Sequence, residues 1–448
     1  MAETGETAPS QLISGRDERP SFGPSLLAAF AHLFAIVASI LTAPLLIARA
    51  IGLDVDSTQY VISASLVVSG IATFIQTYRI GPVGSGLLAV QGTSFAFIGT
   101  MAYAAAQLPP ETSQDELLGI LLGTAAVGGG LVIALSFFLK SVAKVITPTV
   151  TGVTIFLLGL SLLWSALNNS WRVFANASVG DTPYLAMEWL LTLITIAALA
   201  TRKNLYARLV SVPAGLFGGM LLAAVLRDWA PLPTPTADPL FFLEVLPVSL
   251  DFSFLVLLIL LPIFLVSFTE TIGDITATSL VSGQPVEGKT YFSRLRGGVL
   301  GDGFNTVLAS MFGAFPNTTF SQNNAVIRLT GIASRQVGYV LALLLIVLGS
   351  IPWVSSLIVT IPGSVLNAVT AFLFSMIAYT GFNMVRDRAQ RRGLLVLTVA
   401  AIGALLLLGV PALLASLDIT IPPYAAILLG FPVASGALLA IIADQSMA

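Results

Sequence analysis

Ala314-Phe315-Pro316-Asn317-Thr318-Thr319-Phe320-Ser321-Gln322 stands at a depth where a membrane span would carry Leu and Val. Asn323 and Asn324 follow at once and complete the densest amide cluster in any apolar stretch of the chain. A second string, Ala89-Val90-Gln91-Gly92-Thr93-Ser94-Phe95-Ala96-Phe97, has the same mixture of a backbone breaker, hydroxyls and Phe. Extended backbone within a bilayer leaves N–H and C=O groups unpaired and is tolerated only where protein or a cavity satisfies them. Both strings are followed by helix-competent sequence. The expectation is therefore two short extended pieces, each leading into a half-helix whose N-terminus faces the membrane centre. Free N–H groups there favour a carbonyl or other partial negative charge. A pair of kinked but otherwise ordinary helices is the plainer alternative.

Composition places both strings in a membrane protein. Hydrophobic residues make up 56% of the 448 and charged residues 9%, against about 25% charged in a soluble domain. A net charge of -2 without long basic runs argues against a nucleic-acid partner. The absence of cysteine excludes disulfides and thiol chemistry, and a single histidine disfavours a histidine-based metal site. No cofactor is expected. Met1 to Pro20 is polar, lacks the pattern of a signal peptide, and reads as a short exposed tail.

A span needs about 20 apolar residues. Runs between polar breaks give fourteen segments near 25–48, 58–77, 84–104, 117–139, 143–166, 182–200, 207–226, 251–272, 295–313, 316–334, 337–357, 361–383, 393–412 and 421–442. The long apolar run 117–166 can be divided differently, so thirteen is an open alternative. With fourteen segments and both termini in the cytoplasm, sixteen basic residues fall inside, from Arg16 and Arg19 to Arg391 and Arg392. Only Arg49, Arg172 and Arg227 fall outside, the bias expected of cytoplasmic loops. The two breaker strings sit in segments 3 and 10, seven segments apart. An odd number of segments per half inverts the second half, as in many secondary transporters. The fold class expected is thus an all-α polytopic membrane protein of 7+7 inverted repeats, with short extended stretches in segments 3 and 10.

Glu270 and Asp274 are four residues apart within one apolar run, on one helix face if the helix continues through Gly273. Two carboxylates this close disfavour joint ionisation, so the pair can hold a proton and release it when water enters. Asp274 could instead flank the helix end near Thr276 and Thr278; Glu270, after Phe264 to Phe268, fits that role poorly. Gln322, Asn323 and Asn324 offer donors and acceptors suited to a planar solute edged with N–H and C=O groups, with interhelical packing as the bland alternative. Asp302, between Gly301 and Gly303, suits local support better than direct binding. His32 lies in the first span, either hydrogen-bonded in the core or supporting the site. Gly128-Gly129-Gly130 fits close helix packing.

Gln322-Asn323-Asn324-Ala325-Val326-Ile327-Arg328-Leu329-Thr330-Gly331, Glu270-Thr271-Ile272-Gly273-Asp274 and Gly301-Asp302-Gly303 resemble motifs of the nucleobase–ascorbate transporter family, also called nucleobase:cation symporter-2. The resemblance runs over nearly the whole chain and leans toward bacterial xanthine and uric acid permeases. It implies a cytoplasmic tail (1–24), a core domain (25–142 and 251–358) and a gate domain (143–250 and 359–448) that supports a homodimer. It also implies the bacterial inner membrane. Carried over residue by residue, it makes Glu270 the binding carboxylate and Gln322 the polar substrate contact. Asn323 shapes the site, and Phe95 stacks on the ring beside Ser94. Asp274, Asp302 and His32 take coupling or supporting positions. Ala325, Ala31 and Ser94 depart from residues common in the family and leave selectivity open.

The function these features point to is proton-coupled uptake of xanthine or uric acid by alternating access, with Na⁺ as the alternative ion. Uracil is the nearest alternative substrate, and anion transport on a similar fold is the next. A channel would need a continuous polar lining, whereas the polar residues here cluster at one depth. A membrane enzyme would need a nucleophile–histidine or metal arrangement that the sequence does not supply.

Overall fold

Helices begin where a side chain can take up the free N–H groups of the first turn. Asp54 accepts from Ser57 N at 2.8 Å, and Ser113, Thr147 and Ser253 accept from the third residue beyond at 3.3 Å. The computed structural model describes residues 12–139, 141, 147–227, 240–416, 425, 429 and 431–447. The first eleven residues of the expected tail, residues 143–146 that open the fifth expected segment, and most of 421–430 in the fourteenth lie outside the described residues. So do Lys140, Lys144 and the side chains of Arg388 and Arg391 among the basic residues counted above.

In chain order the elements are α1 (Phe22–Ala50), α2 (Val55–Tyr78), β1 (Gln91–Thr93), α3 (Phe97–Ala105), α4 (Gln114–Ser136), α5 (Pro148–Ala175) and α6 (Thr182–Ala200). There follow α7 (Leu205–Leu209), α8 (Ser211–Leu226), α9 (Phe254–Val281), α10 (Gly288–Met311), β2 (Asn317–Thr319) and α11 (Gln322–Thr330). The last are α12 (Arg335–Gly349), α13 (Pro352–Val359), α14 (Gly363–Ser416) and α15 (Pro432–Ser446). Among the described residues eight helical stretches are long and apolar enough to cross a membrane, two of them, Gly363–Arg386 and Arg392–Val410, within α14. A ninth is counted if α12 and α13, bent by 71° ahead of Pro352, form one span. Proline disfavours helical backbone in the residue before it, which places that bend. The chain is a multi-pass, mainly helical membrane protein.

The two expected extended pieces are present, and they pair. β1 and β2 run antiparallel with Gln91 opposite Thr319, Gly92 opposite Thr318 and Thr93 opposite Asn317. Ser94 N to Pro316 O and Phe320 N to Val90 O, both 2.9 Å, flank the ladder. Gly92 is needed here: a Cβ would stand 2.3 Å from the Phe320 ring. Each strand passes directly into a nine-residue half-helix, α3 or α11.

Around this centre α2 packs on α12, α4 on α10, α6 on α8, and α5 along α14. The glycine run in α4 serves close packing, as its sequence suggests: a Cβ on Gly129 would meet Gly303 O at 2.8 Å, and one on Gly303 would meet Gly129 O at the same distance. The α6 and α8 helices are pinned at one end by Glu188, whose fully buried carboxylate takes both Arg227 Nε (2.7 Å) and Nη2 (2.9 Å) and a hydrogen bond from Ser364.

The tail keeps exposed side chains at Ile13 and Asp17, but its backbone at 13–14 is docked and Ser14 is buried. Ile13 N and Ser14 N donate to Gly331 O at 2.8 and 3.1 Å, Ala333 N donates to Ser14 O, and Arg335 pairs with Asp17 at 2.7 Å. The cause lies at Gly331, which ends α11 at φ +66°. Its left-handed turn lifts its carbonyl out of the helix, where the tail docks through a single parallel bridge between Ser14 and Ile332. Gly129→Val should remove about 1–3 kcal/mol through overpacking, seen as a lower thermal midpoint of the purified protein. An unchanged midpoint would refute the close α4–α10 contact.

Candidate functional site

Glu270 and Gln322 border one cavity of about 290 Å³, together with Ser94, Phe95 and Phe320. That volume lies at the lower edge of the range of about 300–1,000 Å³ for small-molecule sites. The cavity sits where the half-helices begin, so the starts of both α3 and α11 open onto it. The two helices run from there toward opposite faces: α3 to the loop that precedes α4, and α11 to the docked N-terminal segment. Ser94 is bound into the turn, with its Oγ accepting from Ala96 N at 3.3 Å. Phe95 lies beside Phe320 with ring centroids 6.5 Å apart and planes at 54°. Glu270 is partly buried on α9, and Gln322 is exposed to the cavity. The opposite wall is supplied by α5 (Ile155, Leu158) and α14 (Leu373, Met376, Ile377, Thr380).

The other sequence candidates lie outside the lining of this cavity. Asn323 is fully buried and donates from Nδ2 to Leu88 O at 2.5 Å, which ties α11 to the segment leading into β1. Asn324 accepts from Thr278 at 2.7 Å and fastens α11 to α9. Asp274 sits one turn beyond Glu270, its carbonyl accepting from Thr278. His32 is fully buried, and neither ring nitrogen has a hydrogen-bond partner among the described residues. Arg328 is exposed in the last turn of α11.

Asp302 is the hub beneath the strands. Its carboxylate accepts from Gln76 Nε2 (2.9 Å) on α2, Thr271 Oγ1 (2.5 Å) on α9, and Thr319 Oγ1 (3.1 Å) and N (3.3 Å) on β2. Thr319 in turn accepts from Gln91 Nε2 on β1 at 2.7 Å. One acid thus ties two helices and both strands to α10. The sequence reading missed Gln76, Gln91 and Thr319 as parts of this hub. An amide near the end of an apolar span was the available signal for Gln76. The α5 and α14 wall residues carry no local signal, because ordinary apolar residues become lining only through long-range packing. Among the described residues no group of three or more His, Asp or Glu side chains is placed to hold a metal ion.

The arrangement has relatives. The family model described as "Permease family" matches residues 23–415. A xanthine permease of Escherichia coli strain K12, XanP, is 38% identical over 402 residues, covering 88% of this chain and 86% of the relative. A second from the same strain, XanQ, is 35% identical over 405 residues, with coverage of 88% and 86%. This chain belongs to the nucleobase–ascorbate transporter family of permeases. A purine permease of Emericella nidulans is 34% identical over 396 residues, covering 80% of this chain and 68% of its own length. Membership makes the protein a transporter rather than an enzyme. The same fold occurs in the transmembrane domain of a cyanobacterial bicarbonate transporter, BicA, with TM-score 0.57 and 15% identity over 96% of this chain and 99% of that one. It also occurs in SLC26A9, with TM-score 0.60 and 13% identity over 95% and 65%.

Removing Gln76 or Thr271 strips a donor from buried Asp302, and each loss should cost about 1–3 kcal/mol. Because both bonds end on one carboxylate, the thermal shift of Gln76→Leu/Thr271→Val should depart from the sum of the single shifts by about 0.5 kcal/mol or more. Strict additivity would mean that Asp302 does not couple them.

Proposed function

We propose that the protein is a secondary active transporter that takes up a purine nucleobase, xanthine or uric acid, together with a proton. One observation carries the reading: Glu270 and Gln322 border the same cavity as Phe95 and the starts of two oppositely directed half-helices. An oxidised purine is planar and edged with N–H and C=O groups. A carboxylate accepts its N–H bonds, an amide both donates and accepts, and the half-helix N–H groups favour its carbonyl oxygens. The ring plane stacks on Phe95. The names of the bacterial relatives, xanthine permeases, support the same class of solute. A uracil carrier would reuse the carboxylate but fill the cavity less completely. An anion carrier, the activity named for BicA, is disfavoured by an acid at the cavity wall.

Loading Glu270 with a proton keeps the empty site neutral and couples binding to the proton gradient. Asp274 exchanges that proton from one turn away, Asp302 holds the frame through its hydrogen bonds, and buried His32 supports the site by packing. The fourteen segments then form two inverted sevens. Segments 1–4 and 8–11 make a core that carries the site, and segments 5–7 and 12–14 make a gate through which two copies pair. Motion of the core against the gate exposes the cavity to each side in turn. The distribution of basic residues supports cytoplasmic termini, and the bacterial xanthine permease relatives support a bacterial inner membrane.

Counterflow in proteoliposomes with labelled xanthine, and unlabelled urate, uracil and guanine as competitors at two pH values, tests this reading. Xanthine and urate should compete best, accumulation should rise as the outside is made more acidic, and a protonophore should abolish it. Glu270→Gln should eliminate accumulation, and Gln322→Glu should change the order of preferred bases. Normal accumulation of every base by Glu270→Gln would end the proposed mechanism.

A further inference from the structure

A second chamber of about 330 Å³ lies between the Glu270 cavity and the face opposite the docked N-terminal segment. Leu158 lines both spaces. From Leu158 toward that face α5 presents Ser161, Ser165 and Asn169 to the chamber. Their spacing of four sets them on one side of the helix. Asn367 and Thr370 on α14 join the same lining. Two aromatic rings complete it: Tyr103 from the end of α3 stacks on Phe431 just ahead of α15, with centroids 5.0 Å apart and planes at 14°.

We propose that this chamber is a second binding station for the same planar, hydrogen-bonding heterocycle, occupied on its way between the far face and the Glu270 cavity. The inference rests on the reading that the deeper cavity takes a nucleobase. Three features carry it. The chamber and the deep cavity share Leu158 in their linings, so the two spaces lie on either side of that one side chain. Its polar groups are two amides and four hydroxyls, counting the Tyr103 phenol, without a carboxylate, a donor–acceptor set that fits N–H and C=O edges but holds no charge. Tyr103, backed by the buried Phe431 ring, supplies an aromatic side chain at the wall, the kind of group on which such solutes stack. A lipid acyl chain gains nothing from these amides and hydroxyls. The station is weaker than the deep site, because it lacks both the acid and the half-helix N–H groups.

The α3 side of the chamber (Ile98, Gly99, Ala102) and the α5–α14 side belong to the two groups of helices that bound the deep cavity as well. Widening the chamber therefore accompanies opening of the deep site toward the far face. Residence in the chamber keeps a base beside the site while that opening occurs.

The chain has no cysteine, so Ser165→Cys introduces a unique thiol. In vesicles, a membrane-impermeant thiol reagent added from the face opposite the N-terminus should label it, and xanthine should slow labelling several-fold. The same protection should persist at higher xanthine concentration in Ser165→Cys/Glu270→Gln, where the deep site no longer binds. Asn169→Ala should raise KM for entry from that face by about three- to tenfold, the worth of one hydrogen bond, without changing KM for exit from the other face. Asn169→Cys replaces Ser165→Cys if the latter loses counterflow. Absence of labelling from the far face, or protection that vanishes at all concentrations once Glu270 is changed, would overturn the second station. Failure of xanthine counterflow in the unmodified protein would instead strike the nucleobase reading itself.

Discussion

Everything at the centre of this molecule depends on pairing two three-residue strands inside a bilayer. A non-helical backbone group facing hydrocarbon costs several kcal/mol, and each strand alone would expose several such groups. Antiparallel pairing of Gln91–Thr93 with Asn317–Thr319 gives them partners in one step. Flanking bonds from Ser94 N and Phe320 N extend the ladder by a residue at each end. The pairing also dictates direction. Because the strands run antiparallel and each continues into its own half-helix, α3 and α11 must depart toward opposite faces. Their free N-termini are thereby brought to one place, where the cavity lies.

The strand pair is too short to hold itself, since even a two-stranded hairpin is marginal alone in water. Asp302 supplies the rest. Four donors from α2, α9 and β2 converge on one buried carboxylate, which makes it a structural acceptor with its lone pairs largely occupied. Glu270 immediately precedes Thr271 on the same helix but points to a different side of it, and it borders the cavity. Two intramembrane acids thus divide the work by environment: one fixes the frame and the other meets the solute space. Asn323 falls on the framing side of that division, through its bond to Leu88 O.

The part of this design that is local in sequence was legible before any coordinates. Breakers and hydroxyls at 89–97 and 315–323 announce non-helical backbone, and Glu270 with Asp274, like Gln322 with its two asparagines, announces a polar site, because each is chemically out of place in an apolar run. Their pairing was not legible, since register depends on how two segments more than 200 residues apart meet in space. The role of Gln76 is hidden for the same reason: an amide in a span reveals a need for a partner without naming it. The N-terminal residues 13–17 carry ordinary polar sequence. Their docking follows from the carbonyl that Gly331 turns outward, a property of another segment.

The two walls of the cavity differ in what binds them. On one side the strands, half-helices, α2, α9 and α10 are joined by many short, directional bonds through Asp302, Asn323 and Asn324. On the other, α5 and α14 present mainly Ile155, Leu158, Leu373, Met376 and Ile377. Between α5 and α9 the directional link among the described residues is the hydroxyl bond from Thr151 to Thr269 at 2.8 Å, worth about 0.5–1.5 kcal/mol net. Apolar contact is non-directional, so sliding one wall over the other exchanges similar contacts at small cost. Shearing the strand pair would break the whole Asp302 network at once. The bonded wall therefore resists shear more than the apolar one, and beyond Leu158 the α5–α14 side turns polar again at Ser161, Ser165, Asn169, Asn367 and Thr370.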